Sequence, residues 1–247
     1  MSALQVLIGL GYVTLVTGVG IALWSGLRDM PRLSRVADVA AWTAAIILVL
    51  GVLLAWGSEL PALDWLVPFI GEPEIEGPGL SLVLMAALAI PVGGRRRKPH
   101  WGRALLYVPA LLLAAAAMTW LLGPNGGTAN SESITPLRFS LAVCAGLGAR
   151  TWGQALQEMA AGTQKATWSG RLPYSLLTLV VGCAALVSLW QRGMVWTGVD
   201  PVVRGGVAAA WLAWTADWLA RNADPRLRGA LTTVAVLLLI LVAARGG

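Results

Sequence analysis

The chain has 247 residues, 57% of them apolar and 12% charged, with a mean hydropathy of +0.72 and a formal net charge of +6. Soluble domains carry about twice that share of charge, so a soluble globular domain and a solvated disordered chain are both excluded. What is expected is a polytopic membrane protein whose main partner is the lipid bilayer and not nucleic acid.

Crossing a hydrocarbon core of about 30 Å takes roughly 17 to 25 apolar residues, and residues 4–26 form the first such run. It has neither a basic leader nor an A-x-A-like cleavage site, so it reads as a retained helix and not a signal peptide. Arg28, Arg32 and Arg35 separate it from the second run, 39–57. Loop 58–78 then carries Glu59, Asp64, Glu72, Glu74 and Glu76 without a single Lys or Arg. The third run, 79–94, reads GLSLVLMAALAIPVGG; it is the shortest and ends in Pro91 and two glycines. Arg95, Arg96, Arg97, Lys98 and Arg103 follow, in a loop with the lone histidine, His100, which reads as a solvated residue beside anionic headgroups. Run 104–122 completes four helices within residues 1–123.

The fifth run, 138–160, opens a second set of four within 138–247. Its Arg150, Gln154 and Glu158 recur every four residues and share one helical face, while Ala145, Ala149 and Gly153 make a small-xxx-small row suited to a close neighbour. Run 172–191 follows, then 204–220, in which Asp217 lies about one turn inside, and finally 229–245. Ionisable groups at membrane depth are costly unless paired or hydrated. Two readings of Arg150, Gln154, Glu158 and Asp217 stay open: a charge pair of Arg150 or a neighbour with Asp217 that fixes packing, or a polar pathway or ligand cavity. Trp211, Trp214 and Trp218 at i, i+3 and i+7 form either a packing seam or an aromatic wall for a flat ligand. Cys144 and Cys183 lie in apolar runs without CxxC spacing and read as small hydrophobes. With one histidine there is no Ser-His-Asp arrangement and no metal-ligand cluster, so no catalytic or metal-binding residue is expected.

Basic residues collect in cytoplasmic loops. Here Arg28, Arg32, Arg35, Arg95, Arg96, Arg97, Lys98, Arg103, Lys165, Arg171, Arg221, Arg226 and Arg228 fall in alternate loops, thirteen of the 18 Lys and Arg. The other loops and the tail hold only Arg138, Arg192, Arg204 and Arg245. This alternation predicts an all-α bundle of about eight transmembrane helices with both termini outside. Dropping the third run would put RRRK on the side of the acidic loop.

Residues 189–201, LWQRGMVWTGVDP, then form the outer loop between the sixth and seventh helices, with Trp190 and Trp196 at the membrane surface. Asp200 before Pro201 is also a good helix start, since the carboxylate accepts free N–H groups and proline has none to lose. An outer tryptophan-containing loop ending in Asp-Pro, then Trp211-Leu212, Trp214 and Trp218-Leu219-x-Arg221, resembles the haem-handling membrane proteins of cytochrome c assembly, whose tryptophan-rich segment ends in Trp-Asp-Pro. The preceding LPYSLLTLVVG is similar to the helix that leads into that segment, and the resemblance covers roughly residues 138–245. Val199 stands where the family has its last tryptophan, and Ala220 where a histidine is common, which makes this chain a diverged, histidine-poor relative.

The resemblance implies a non-enzymatic role in cytochrome c assembly or haem handling at the outer face of a bacterial cytoplasmic membrane. It implies partners among other membrane subunits or cytochrome c maturation proteins. Trp190, Trp196 and Asp200 become candidate contacts for haem or a partner. Any haem is expected to be weakly held and not ligated by a histidine of this chain. Two other roles fit the composition: an accessory subunit of a respiratory or photosynthetic membrane complex, and a small-molecule transporter, although no inverted repeat accompanies the latter.

Overall fold

The computed structural model describes residues 3–28, 30–57, 77–91, 105–122, 136–160, 171–193, 200–220 and 224–245. Within them the chain is all-helical. Eight helices follow in order: α1 (Ala3–Arg28), α2 (Pro31–Gly57), α3 (Gly77–Ala89), α4 (Val108–Leu122), α5 (Pro136–Ala160), α6 (Arg171–Arg192), α7 (Pro201–Leu219) and α8 (Pro225–Arg245). Seven of the eight begin with a proline among their first three residues: Pro31, Pro78, Pro109, Pro136, Pro173, Pro201 and Pro225. A first-turn residue has no carbonyl four positions back, so proline forfeits nothing there and its fixed φ already suits a helix.

Several helices start ahead of their apolar runs. Helix α2 begins at Pro31 and α8 at Pro225, against expected starts of 39 and 229. Apolar runs mark the stretch that meets hydrocarbon, whereas Arg35 and Arg226 stay in the helix and remain exposed beyond it. Helix α3 stops at Ala89, just ahead of Pro91, and its 13 residues span about 20 Å. The 15 residues of α4 span about 22 Å. Among the described residues four helices are long and apolar enough to cross a membrane, at Val6–Ser25, Arg35–Leu53, Arg171–Trp190 and Arg226–Ala244.

The short α3 is the most enclosed. From Leu80 to Ile90 every residue but Leu88 is buried, because α2, α4, α5 and α8 all pack around it. Glycine permits the closest approaches. A Cβ on Gly146 of α5 would lie 2.8 Å from Leu88 Cβ and 3.0 Å from the Met85 carbonyl of α3. One on Gly153 would lie 2.7 Å from the Leu106 carbonyl, in the 3₁₀ turn that leads into α4. The row Ala145, Ala149, Gly153 is buried as its spacing predicts. Helix α5 therefore sits centrally, touching α3, α4, α6 and α8.

Neighbouring contacts fix the helix directions. Arg138 of α5 reaches the Ala244 carbonyl of α8, while Gly148 meets Val236, so these two run antiparallel. Gly206 against Val242 and Asp217 against Arg228 make α7 antiparallel to α8 as well. Tyr174 beside Thr215, and Thr178 beside Trp211, set α6 antiparallel to α7. Tyr107 donates to Asp38 at 3.3 Å, bringing the start of α4 to the start of α2. One end of the bundle thus collects the end of α1, the starts of α2, α4, α6 and α8, and the ends of α5 and α7. Those are the flanks of the four basic stretches, the end of α3 aside.

Candidate functional site

Trp190 closes the last turn of α6 with its side chain 88% exposed. Gly193 ends that helix in the left-handed region, φ +68°, with its N–H bonded to the Leu189 carbonyl at 2.9 Å. Glycine suits this position because a side chain there would be strained. On the other flank, the Asp200 carboxylate accepts the Val202 N–H at 2.9 Å and its carbonyl accepts the Arg204 N–H at 3.0 Å. Trp196 lies outside the described residues.

A second Asp-Pro, Asp224-Pro225, shows the same arrangement. Asp224 ahead of Pro225 accepts the Arg226 N–H at 2.9 Å, and its carbonyl accepts the Arg228 N–H at 3.2 Å. The two aspartates do the same capping work at opposite ends of the bundle. Capping accounts for the carboxylate geometry of Asp200, and what distinguishes the 189–201 stretch is the bare indole of Trp190.

The intramembrane polar residues lie on two of the helices, α5 and α7. Asp217 is buried, and its Oδ1 receives the Arg228 Nε at 3.1 Å while Oδ2 receives the Thr232 hydroxyl at 3.5 Å. By charge alternation Arg228 is a loop residue; the start of α8 at Pro225 puts it inside the helix, opposite Asp217. Arg150 and Gln154 are half-buried on α5. Glu158 belongs to the same helix, but its side chain lies outside the described portion, as does His100. The ion pair of Asp217 with Arg228 ties α7 to α8, its hairpin partner, and Trp214 of α7 meets Gly148 of α5.

The three tryptophans of α7 divide likewise. Trp214 is fully buried, its indole edge so near Gly148 that a Cβ there would come within 3.0 Å of Cζ2. Trp211 stacks on Tyr174 at 6.3 Å between centroids and 23° between planes, and donates Nε1–H to the Thr178 hydroxyl at 3.0 Å. Tyr174 and Thr215 share a further bond at 3.2 Å. Trp218 is 44% exposed. With one ring sealed between helices, one stacked and one turned outward, the residues form a packing seam and do not present a common wall.

The chain was compared with protein-family models, with curated proteins and with solved structures. None of the three comparisons gives a match. The site therefore stands on its own chemistry. Among the described residues no group of three or more His, Cys, Asp or Glu could hold a metal ion. Cys144 is buried and Cys183 exposed, both free. The arrangement offers a flat indole for stacking at one end of α6 and a neutralised carboxylate inside the α7–α8 hairpin.

Proposed function

We propose that this chain is an eight-span protein of a bacterial cytoplasmic membrane, with both termini outside, that assists cytochrome c assembly or haem handling without catalysing a reaction itself. The observation that carries the reading is the 88% exposed indole of Trp190, set where α6 meets the 193–200 connection to the capped start of α7. An exposed indole can stack on a flat macrocycle or a partner's apolar face. Haem held in this way would be weakly bound, with no histidine of this chain as ligand. The gathering at one end of seven of the eight helix ends that flank the basic stretches supports the orientation, since that end would face the cytoplasm.

The test is joint substitution of Trp190, Trp196 and Asp200 in a strain that makes c-type cytochromes. Mature cytochrome should fall while the protein stays inserted at normal abundance. Unchanged maturation would reject the reading, because losing a cap alone costs only about 1 kcal/mol. A second reading, an accessory subunit of a respiratory or photosynthetic complex, is favoured by α6. Only 11% of its 171–190 span is buried, against 33% to 39% in the other three long apolar helices. Its exposed side chains include Ser175 and Thr178 alongside Leu179 and Leu186, a mixture suited to another helix. Co-purification of a stoichiometric membrane subunit that is lost on bulky substitution at Gly182 would support it.

A further inference from the structure

Building on the reading of this chain as a subunit of a larger membrane complex, we propose that one strip of α5 docks a transmembrane helix of a partner chain that carries a carboxylate at mid-depth, opposite Arg150. The surface is set by burial along α5. From Leu141 to Gly153 every residue is buried except Val143, Leu147, Arg150 and Trp152. The first three recur at i, i+4 and i+7 and share one face, which Phe139 and Gln154, both half-buried, extend in either direction. From Phe139 to Gln154 the strip runs about 22 Å. Beside it, Gly146 is covered by α3 and Gly153 by the turn into α4. The strip is left open among the helices that cover the rest of α5, and it is apolar in its first half and polar in its second.

Depth makes the polar half costly in lipid. Gly148 meets Val236, near the centre of the apolar span Arg226–Ala244. Arg150 follows Gly148 by two residues, about 3 Å along the axis. At that level it lies roughly 15 Å from either surface of the hydrocarbon core, too far for its side chain to reach headgroups. Charged groups so placed face protein or water and are paired, whereas Arg150 and Gln154 are only half-buried within this chain.

Charge and length together specify the occupant. Arg150 has an interaction within the chain, yet a guanidinium carries five N–H donors, and one contact leaves others for a partner. A carboxylate matches that fork of donors and its charge. Phe139, Val143 and Leu147 require an apolar stretch in the same segment. A helix that crosses the bilayer supplies both along about 22 Å, whereas the charged group of a lipid stays near the surface, far from Arg150. A second copy of this chain is poorly suited. Of its described acids within the apolar spans and α7, Asp217 is buried against Arg228 and Asp38 is bonded by Tyr107 near the start of α2.

The experiment is photocross-linking of the full chain in its native membrane, with p-benzoylphenylalanine substituted for Leu147 and the cross-linked peptides sequenced by mass spectrometry. The expected product joins this position to a transmembrane segment of another protein that contains Asp or Glu. Arg150→Gln should lower its yield about fivefold, and Arg150→Lys should lower it less. Arg150→Glu should abolish it, and changing the partner's carboxylate to lysine should restore it, which separates loss of contact from loss of folding. The same probe in place of Leu10 on α1, 56% exposed, should give no protein product. A product with a second copy, with lipid alone or with a segment that lacks a carboxylate would overturn the proposal, and so would a yield indifferent to Arg150. A partner captured from Leu179 of α6 and not from Leu147 would leave the subunit reading standing and overturn this one. Capture at neither position would reject both.

Discussion

At the residue scale, Asp217 shows how far depth alone can be read. An acid one turn inside an apolar run needs a partner, and the structure supplies Arg228 at 3.1 Å, with Thr232 behind it. The partner was not legible because the apolar run of α8 begins at 229, whereas the helix begins four residues earlier under the Asp224-Pro225 cap. With Asp217 and Arg228 only 3% and 11% exposed at their side chains, removing either breaks a buried ion pair, at a cost of about 3 to 5 kcal/mol. We expect Asp217→Asn and Arg228→Gln each to lower the melting temperature in detergent clearly, and the double variant to lose less than the sum of the two. Strict additivity would show that the groups are not coupled. Asp200→Ala and Asp224→Ala should both cost about 1 kcal/mol in the same assay, as loss of a cap does.

At the scale of elements, α3 and α6 depart furthest from what apolar length implies. Helix α3 is the shortest, yet it is enclosed by four neighbours, α2, α4, α5 and α8. Its fit depends on Gly146, where backbone and Leu88 leave no room for a side chain. Gly146→Val should destabilise the bundle by about 1 to 3 kcal/mol or more, whereas Gly182→Ala on α6, with nothing within 4 Å of its added Cβ, should be neutral in the same melt. Helix α6 is the reverse, a long apolar helix held to α7 chiefly through Tyr174, Trp211, Thr178 and Thr215. Trp211→Phe deletes the Nε1–H donor while keeping a stacking ring. Amide exchange should then accelerate across α6 and stay unchanged in α3; uniform acceleration would mean that α6 unfolds only with the whole bundle.

At the scale of the whole molecule, the charge alternation and the helix directions agree, although they arise differently. The first comes from the positions of Lys and Arg along the chain, the second from side-chain contacts such as Arg138 to Ala244 and Tyr107 to Asp38. Reporter fusions after residues 30, 98, 166 and 224 should all report cytoplasm if the basic end faces inward. An outside signal at 98 would mean that α3 and the residues after it do not cross as a full span, which its length of about 20 Å makes the most exacting part of the eight-span proposal.

The sequence by itself determined that the described residues are all-helical and apolar enough for a bilayer, where the helices fall to within a few residues except at the early start of α2, and which stretches carry basic charge. These follow from local rules: run length, the proline in each first turn but that of α1, and the cost of charge in hydrocarbon. Tertiary structure decided what the singled-out residues do. It sealed Trp214 against Gly148, stacked Trp211 on Tyr174, turned Trp218 outward and gave Asp217 to Arg228. Helical periodicity says which residues share a face. Which neighbour that face meets depends on contacts between segments distant in the chain, and on glycines whose missing side chains let two backbones approach.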